Sequence, residues 1–241
     1  MVLTACGILK YTLFIRLTNF QSDSLAERRG AIRPDTSDER RAAIIAAAIR
    51  VLAREGIAEA TTRKIAREAD VNQAMLGYYF GSKDDLLLAV LQEMMRTTAE
   101  VVRETAVVKG SLRDAIADSL KAFWAHVETA PELQIMQYEL TLYAIRHPDS
   151  AWLAKQQYDG YCAVVEALFQ EAYASAQQTC AVPFAEIARF VVGGLDGLIL
   201  QFISDRDTAR ARRDLDHLTE ALLALTQTPA AVGHQTTQRA T

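Results

Sequence analysis

The sequence predicts an all-α protein, with a short three-helix unit near the N-terminus followed by a longer helical body. Alanine, the strongest helix former, occurs 40 times in 241 residues. Glycine and proline, which interrupt helices and build turns, occur only 11 and 5 times, roughly half their usual combined share. Apolar residues recur at helical spacing between capping signals, without the alternation that marks half-buried strands. At 50% hydrophobic and 23% charged residues, the chain holds enough apolar material to bury a core and is not disordered in general character.

Residues 1–20, MVLTACGILKYTLFIRLTNF, are apolar, but Lys10 and Arg16 interrupt the run. No stretch approaches the roughly 18–20 apolar residues that span a bilayer. No basic leading region or clear small-residue cleavage site marks a secretory signal, so no membrane partner is expected. Residues 21–37 are polar and punctuated by Gly30 and Pro34, and residues 1–37 read as a flexible leader. Thr36 and Glu39 then have capping-box spacing ahead of a helix over residues 38–55, with Ile45, Ala48, Ile49 and Leu52 on one face and Gly56 at its end. A second, short helix starts near Thr61 or Thr62 and places Ile65, Ala66 and Ala69 together. Asp70 and Val71 form a tight connection, and Asn72 caps a third helix to about Tyr79. Gly81 breaks the chain, and Ser82 with Asp85 opens a long helix to about Thr105.

The body continues in the same style. Ser111 opens a helix to about Ala130, Pro131 starts one to Arg146, and the segment from His147 to Ser150 breaks the pattern. Helices follow over residues 151–178, 183–203 and 207–226, and residues 227–241 read as a disordered tail. The domain reading is therefore a leader at 1–37, a helix-turn-helix unit at 38–84, a helical body at 85–226 and the tail.

Chemistry-bearing patterns are sparse. Cys6, Cys162 and Cys180 form no close pair, and their odd number suits a reducing, cytoplasmic setting. The histidines His126, His147, His217 and His234 have no metal-ligand spacing, so no metal is expected. There is no glycine-rich phosphate loop and no Gly-x-Ser-x-Gly elbow, so neither an enzyme nor a cofactor is expected. Net charge is −4, which hides an asymmetry: residues 28–83 carry 11 Lys and Arg against 7 Asp and Glu, the rest 15 against 23. A basic head on an acidic body suggests two different partners. Two short helices in tight succession after a longer one make a helix-turn-helix outline. A generic three-helix bundle, or a helical partner-binding protein without specific DNA binding, has the same outline.

Residues 61–86 read TTRKIAREADVNQAMLGYYFGSKDDL. The positions of Thr61, Ile65, Ala66, Ala69, Val71, Leu76, Tyr79, Phe80, Lys83 and Leu86 closely resemble the DNA-binding domain of the tetracycline-repressor (TetR) family, over about residues 38–90. The resemblance implies a ligand-responsive repressor that binds a palindromic double-stranded DNA operator as a homodimer and is released by a small-molecule effector. Arg63 and the outer face of the third helix, Gln73, Ala74, Gly77 and Tyr78, are expected toward the bases, Gly77 having no side chain to read one and instead letting the backbone approach closely. Arg forks onto guanine, Gln pairs with adenine and Ala meets the thymine methyl. Thr61, Thr62, Asn72, Tyr79 and Lys83 complete the expected DNA-binding set, with Thr61, Thr62, Tyr79 and Lys83 matching phosphate contacts. The chain departs from the family in two places: Gly77 stands where Tyr is frequent, and Met75 where a small hydroxyl residue is.

In the body, the resemblance implies an effector pocket, expected from Phe123, Trp124, Met136, Glu139, Leu140, Tyr143, Gln157, Tyr158 and Tyr161. Glu139 is a carboxylate among apolar neighbours, which either pairs with an Arg, faces solvent or meets a ligand, a cationic one being suited to the aromatics. Plain bundle core accounts for the same residues. Dimerisation is expected through residues 184–225, with Phe184, Ile187, Val191, Gly194, Leu195, Leu198 and Phe202 facing the partner together with Leu215, Leu218, Leu222 and Leu225. Close packing within one subunit is the alternative.

Overall fold

The computed structural model describes residues 36–106 and 110–227, so Cys6 and most of the expected leader and tail lie outside the described residues, while Thr36 and Ser37, expected in the leader, begin the first helix and Gln227, expected in the tail, ends the last one. Nine helices, and no strand, occur among them: α1 (Ser37–Glu59), α2 (Thr62–Glu68), α3 (Gln73–Phe80), α4 (Lys83–Thr105), α5 (Leu112–Thr129), α6 (Pro131–Arg146), α7 (Ala151–Ser175), α8 (Phe184–Asp205) and α9 (Thr208–Gln227).

Local chemistry fixes most helix ends. Thr36 and Glu39 form the reciprocal capping box, and Ser111 and Asp114 form a second one at α5. Thr61, Asn72 and Ser82 cap α2, α3 and α4 by accepting from the backbone N–H groups of Lys64, Ala74 and Asp85. The α2–α3 turn is a Schellman motif. Asp70 adopts a left-handed φ of 53°. The Val71 N–H then donates to the Ala66 carbonyl at 3.0 Å and the Asp70 N–H to Arg67 at 3.3 Å. Gly56, expected at the end of α1, instead breaks it internally with φ 75° and ψ 169°, and one further turn follows to Glu59. The body helices begin and end within a few residues of expectation.

Two apolar clusters organise the molecule. The first joins α1 (Ile44, Ile49, Leu52), α2 (Ile65) and α3 (Leu76, Phe80) to α4 (Leu86, Val90), α6 (Met136, Leu140) and α7 (Leu153). The boundary proposed at residue 84 thus divides the chain but not the packing. Ion pairs Arg50–Glu68 at 2.8 Å and Lys64–Glu55 at 2.7 Å tie α1 to α2 along their rim. The second cluster gathers α5, the end of α7, α8 and α9 around Trp124, Ile187, Val191, Phe202 and Leu222. By length and hydropathy α8 passes as a membrane span. Its Ile187, Val191, Leu195, Ile199 and Phe202 are nevertheless buried in this bundle.

Within the helices expected to make the dimer, the second cluster takes one face into the subunit's own core. Ile187, Val191, Leu195, Phe202, Leu215 and Leu222 are buried inside one subunit. A Cβ added at Gly194 would lie 2.6 Å from a terminal methyl of Leu218, so this glycine lets α9 approach α8 of its own chain. Gly194→Leu is therefore expected to lower subunit stability by about 1–3 kcal/mol through overpacking. A thermal unfolding midpoint equal to that of the parent protein would place Gly194 elsewhere.

Candidate DNA-reading face and effector cavity

Once Leu76 and Phe80 are buried, the period of α3 leaves Gln73, Ala74, Gly77 and Tyr78 on the outer side. All four are exposed, Tyr78 at 80%, and Arg63 is exposed on the adjacent α2. Gln73 Nε2 donates to Thr62 Oγ1 at 3.0 Å, which aims the amide across the α2–α3 junction. A bidentate pair with adenine uses Oε1 and one Nε2 hydrogen, and the second Nε2 hydrogen can stay on Thr62. Among the described residues nothing lies within 4 Å of a Cβ placed at Gly77, so the surface there is open enough for another backbone to approach closely. Thr61 and Asn72 cap helices, so their side chains already serve the fold. Tyr79 is half-buried with its ring edge-on to Tyr78, the centroids 5.1 Å apart.

Lys83 departs from a purely phosphate-directed role. Its Nζ donates to the Ile57 carbonyl at 3.0 Å. The ammonium retains two further donors, so it can hold the end of α1 and still reach an anion. The N–H of the same residue, Ile57, donates to Glu139 Oε2 on α6 at 3.2 Å. The peptide after the Gly56 break is thus held by α4 on one side and by the body on the other. Tyr143, one turn beyond Glu139, bonds Asp84. Burial first, and then this carboxylate, push its phenol up to about 12.

These contacts correct part of the expected pocket. Glu139 and Tyr143 tie the head to the body, while Met136 and Leu140 are buried against the head in the first cluster. Trp124 stacks edge-on with Phe202, centroids 5.8 Å apart, and lies in the second cluster. Gln157 is buried, accepts from Thr141 Oγ1 at 2.8 Å and donates to the Tyr161 hydroxyl at 3.4 Å. Of the nine expected residues, Phe123 and Tyr161 line the central cavity of the body. That cavity measures about 100 Å³ and is walled by α4 (Met94, Thr98, Val101), α5 (Phe123, His126), α6 (Gln137), α7 (Tyr161, Val165) and α8 (Val192, Asp196, Ile199).

Asp196 is the charged residue among the lining residues that sequence reasoning missed. Its Oδ1 accepts the Tyr138 hydroxyl at 3.1 Å, and Tyr158 also bonds its side chain. Burial raises the carboxyl above its ordinary range, against the lowering effect of the two phenols. Burial and the nearby Asp196 charge together keep both phenols protonated. Desolvation holds His126 below the ordinary imidazole range, hence neutral near pH 7. The available signal was a lone carboxylate inside the apolar run FVVGGLDGLIL, residues 190–200. Among the described residues no group of three His, Cys, Asp or Glu is arranged to hold a metal.

Loss of the Glu139 acceptor should loosen the head locally. Glu139→Ala is expected to cost about 0.5–1.5 kcal/mol and to speed hydrogen exchange at the Ile57 amide while the amides of α3 stay protected. Unchanged exchange at Ile57 would show that the contact carries no restraint.

Comparison with known proteins agrees with this arrangement. Residues 44–90 match the family described as bacterial regulatory proteins, tetR family, and residues 111–225 match the tetracyclin repressor-like C-terminal domain. The nicotine-responsive transcriptional repressor HdnoR of Paenarthrobacter nicotinovorans is 32% identical over 191 residues, covering 77% of this chain and 94% of that protein. The multidrug binding protein EbrR, solved with imidazole, is 29% identical with a TM-score of 0.57, over 84% of this chain and 98% of the other. Its ethidium complex superposes with a TM-score of 0.58 over 78% and 99%. The regulator FadR of Bacillus subtilis, solved with stearoyl-CoA, shares the fold at 19% identity and a TM-score of 0.60, over 76% and 98%. With a helix-turn-helix head that keeps its reading face outward and a helical body enclosing a cavity, the chain belongs to the TetR family, as a ligand-responsive, DNA-binding transcriptional regulator and not an enzyme.

Proposed function

We propose that this regulator represses transcription in the cytoplasm as a homodimer whose two α3 helices enter successive major grooves of a palindromic operator, and that a small molecule in the central cavity releases it. The exposed face of Gln73, Ala74, Gly77 and Tyr78, flanked by Arg63, carries the reading. Around it, Thr61, Thr62, Asn72, Tyr79 and Lys83 would meet phosphate or set the helix ends that do. The likeness to the nicotine-responsive HdnoR and to EbrR, solved with imidazole and with ethidium, supports a nitrogen-containing aromatic effector.

The dimer surface we assign is the outer face of α8. Phe190 and Leu200 are exposed apolar residues there, and a Cβ added at Gly193 or Gly197 between them would meet no described atom within 4 Å. The four recur at helical spacing, which makes a stripe where a second α8 can approach closely. Gly193→Trp is expected to leave the subunit folded and yield monomers in sedimentation at micromolar concentration, because a Cβ there meets no described atom within 4 Å and the position is exposed. Persistence of the dimer would move the interface to another face.

Selection of bound fragments from a genomic or random DNA library tests the main reading, an enriched inverted repeat being expected. On that repeat, Arg63→Ala and Gln73→Ala should each lose roughly 1–3 kcal/mol of operator affinity and relax preference at one base pair per half-site. Recovery of random fragments, or parental affinity and sequence preference in both variants, would refute the assigned face.

A further inference from the structure

We propose that the central cavity takes a small organic cation, one apolar ring bearing a protonated amine, and that Asp196 is its counter-ion. The inference rests on reading this cavity as the effector site, and it adds the charge of the effector and the residue that selects it.

The cavity wall is mainly apolar and aromatic, with Phe123, Tyr161, Val102 and Val192 among its residues. Its polar groups other than Asp196 are neutral: threonines, glutamines, a phenol held protonated and an imidazole kept uncharged by desolvation. Among the described residues that line it there is no Lys or Arg. Asp196 therefore brings a formal negative charge to an apolar chamber without a cation beside it.

Its tyrosine partners do not resolve this. Tyr138 and Tyr158 give hydrogen bonds that orient the carboxylate, yet phenols near pH 7 supply no positive charge. An asparagine could accept the same bonds without the desolvation penalty that a carboxylate meets there. A role confined to fastening α8 to α6 and α7 thus explains the hydrogen bonds but not the charge. An arriving ammonium supplies the missing counter-ion and offsets that penalty. Aromatic faces at Phe123 and Tyr161 favour the same ligand. An anion would meet Asp196 with repulsion. A volume of about 100 Å³ is below the roughly 150 Å³ of a cavity that holds benzene. The wall must give slightly around even one ring, which sets the size class.

Benzylammonium and benzyl alcohol are close in shape and differ in charge, so titration calorimetry of the full-length protein at pH 7 with each separates charge from fit. The parent protein is expected to bind benzylammonium at least ten-fold more tightly than benzyl alcohol. Asp196→Asn, which keeps an acceptor for Tyr138, should abolish most of that preference while binding of the alcohol persists. Val192→Trp, which fills the chamber, should block both. Equal affinity for the two probes, or a preference that survives in Asp196→Asn, overturns the counter-ion role and leaves the cavity standing. Failure of both probes to bind the parent protein, or unimpaired binding of both by Val192→Trp, overturns the cavity as the effector site and this inference with it.

Discussion

Helices α2 and α3 have seven and eight residues, well below the roughly 12–15 residues at which an isolated helix begins to persist in water. Everything the head does depends on how this deficit is met. Ile65, Leu76 and Phe80 are buried in the same cluster as Ile44 and Leu52 of α1, Leu86 of α4 and Met136 of α6. The outward direction of Gln73 and Tyr78 is the reverse side of that burial. A head that borrows core from α6 cannot move independently of the body, and this dependence gives a ligand in the body some purchase on the DNA-reading face. The break at Gly56 lies where the two meet, with the next residue, Ile57, bonded to Lys83 through its carbonyl and to Glu139 through its N–H.

What was legible in the sequence was local. Thr36, Thr61, Asn72, Ser82 and Ser111 cap helices because each needs only a backbone N–H a few residues ahead, so element order and most boundaries followed from spacing. The exposed face of α3 followed as well, since Leu76 and Phe80 determine which side is hidden. The cavity did not follow. Periodicity identifies the apolar face of a helix but not which helix covers it. Met136 and Leu140 are apolar as expected, yet they pack against the head and do not line the central cavity. The same limit misplaced Gly194: glycines at 193, 194 and 197 look alike in sequence, and only the position of Leu218 separates the one that admits α9 from the two that face outward. Asp196 was passed over because one charge in an apolar run reads as a surface residue until the neighbouring helices are in place.

The position of the cavity relative to α4 gives the coupling a physical route. Met94, Thr98 and Val101 of α4 line the cavity, and Lys83 and Asp84 begin the same helix. Fifteen residues separate Lys83 from Thr98, roughly 22 Å along a continuous helix. A helix of this length transmits a tilt as a rigid rod, so a small displacement of the wall near Thr98 becomes a displacement at Lys83 and, through its bond to Ile57, at the end of α1. Asp84 carries the same motion to Tyr143 on α6.

Such a route sets direction but supplies no energy. A ligand shifts the equilibrium between DNA-competent and released dimers only by the difference in its affinity for the two. The cavity is narrow, and among its described lining residues Asp196 has no Lys or Arg beside it. A form with more room near Asp196 would bind a cation better, and that difference is the free energy available to turn α4. The dimer raises its effect. Half-sites on a palindrome are read at a fixed separation, so tilts of α4 in both subunits change one shared distance between the two α3 helices. A rotation too small to expose any core residue is then enough to misalign the pair with the operator. The packing of the head on α6 can therefore stay intact during release, since the spacing of two rigid reading faces changes and their internal structure does not.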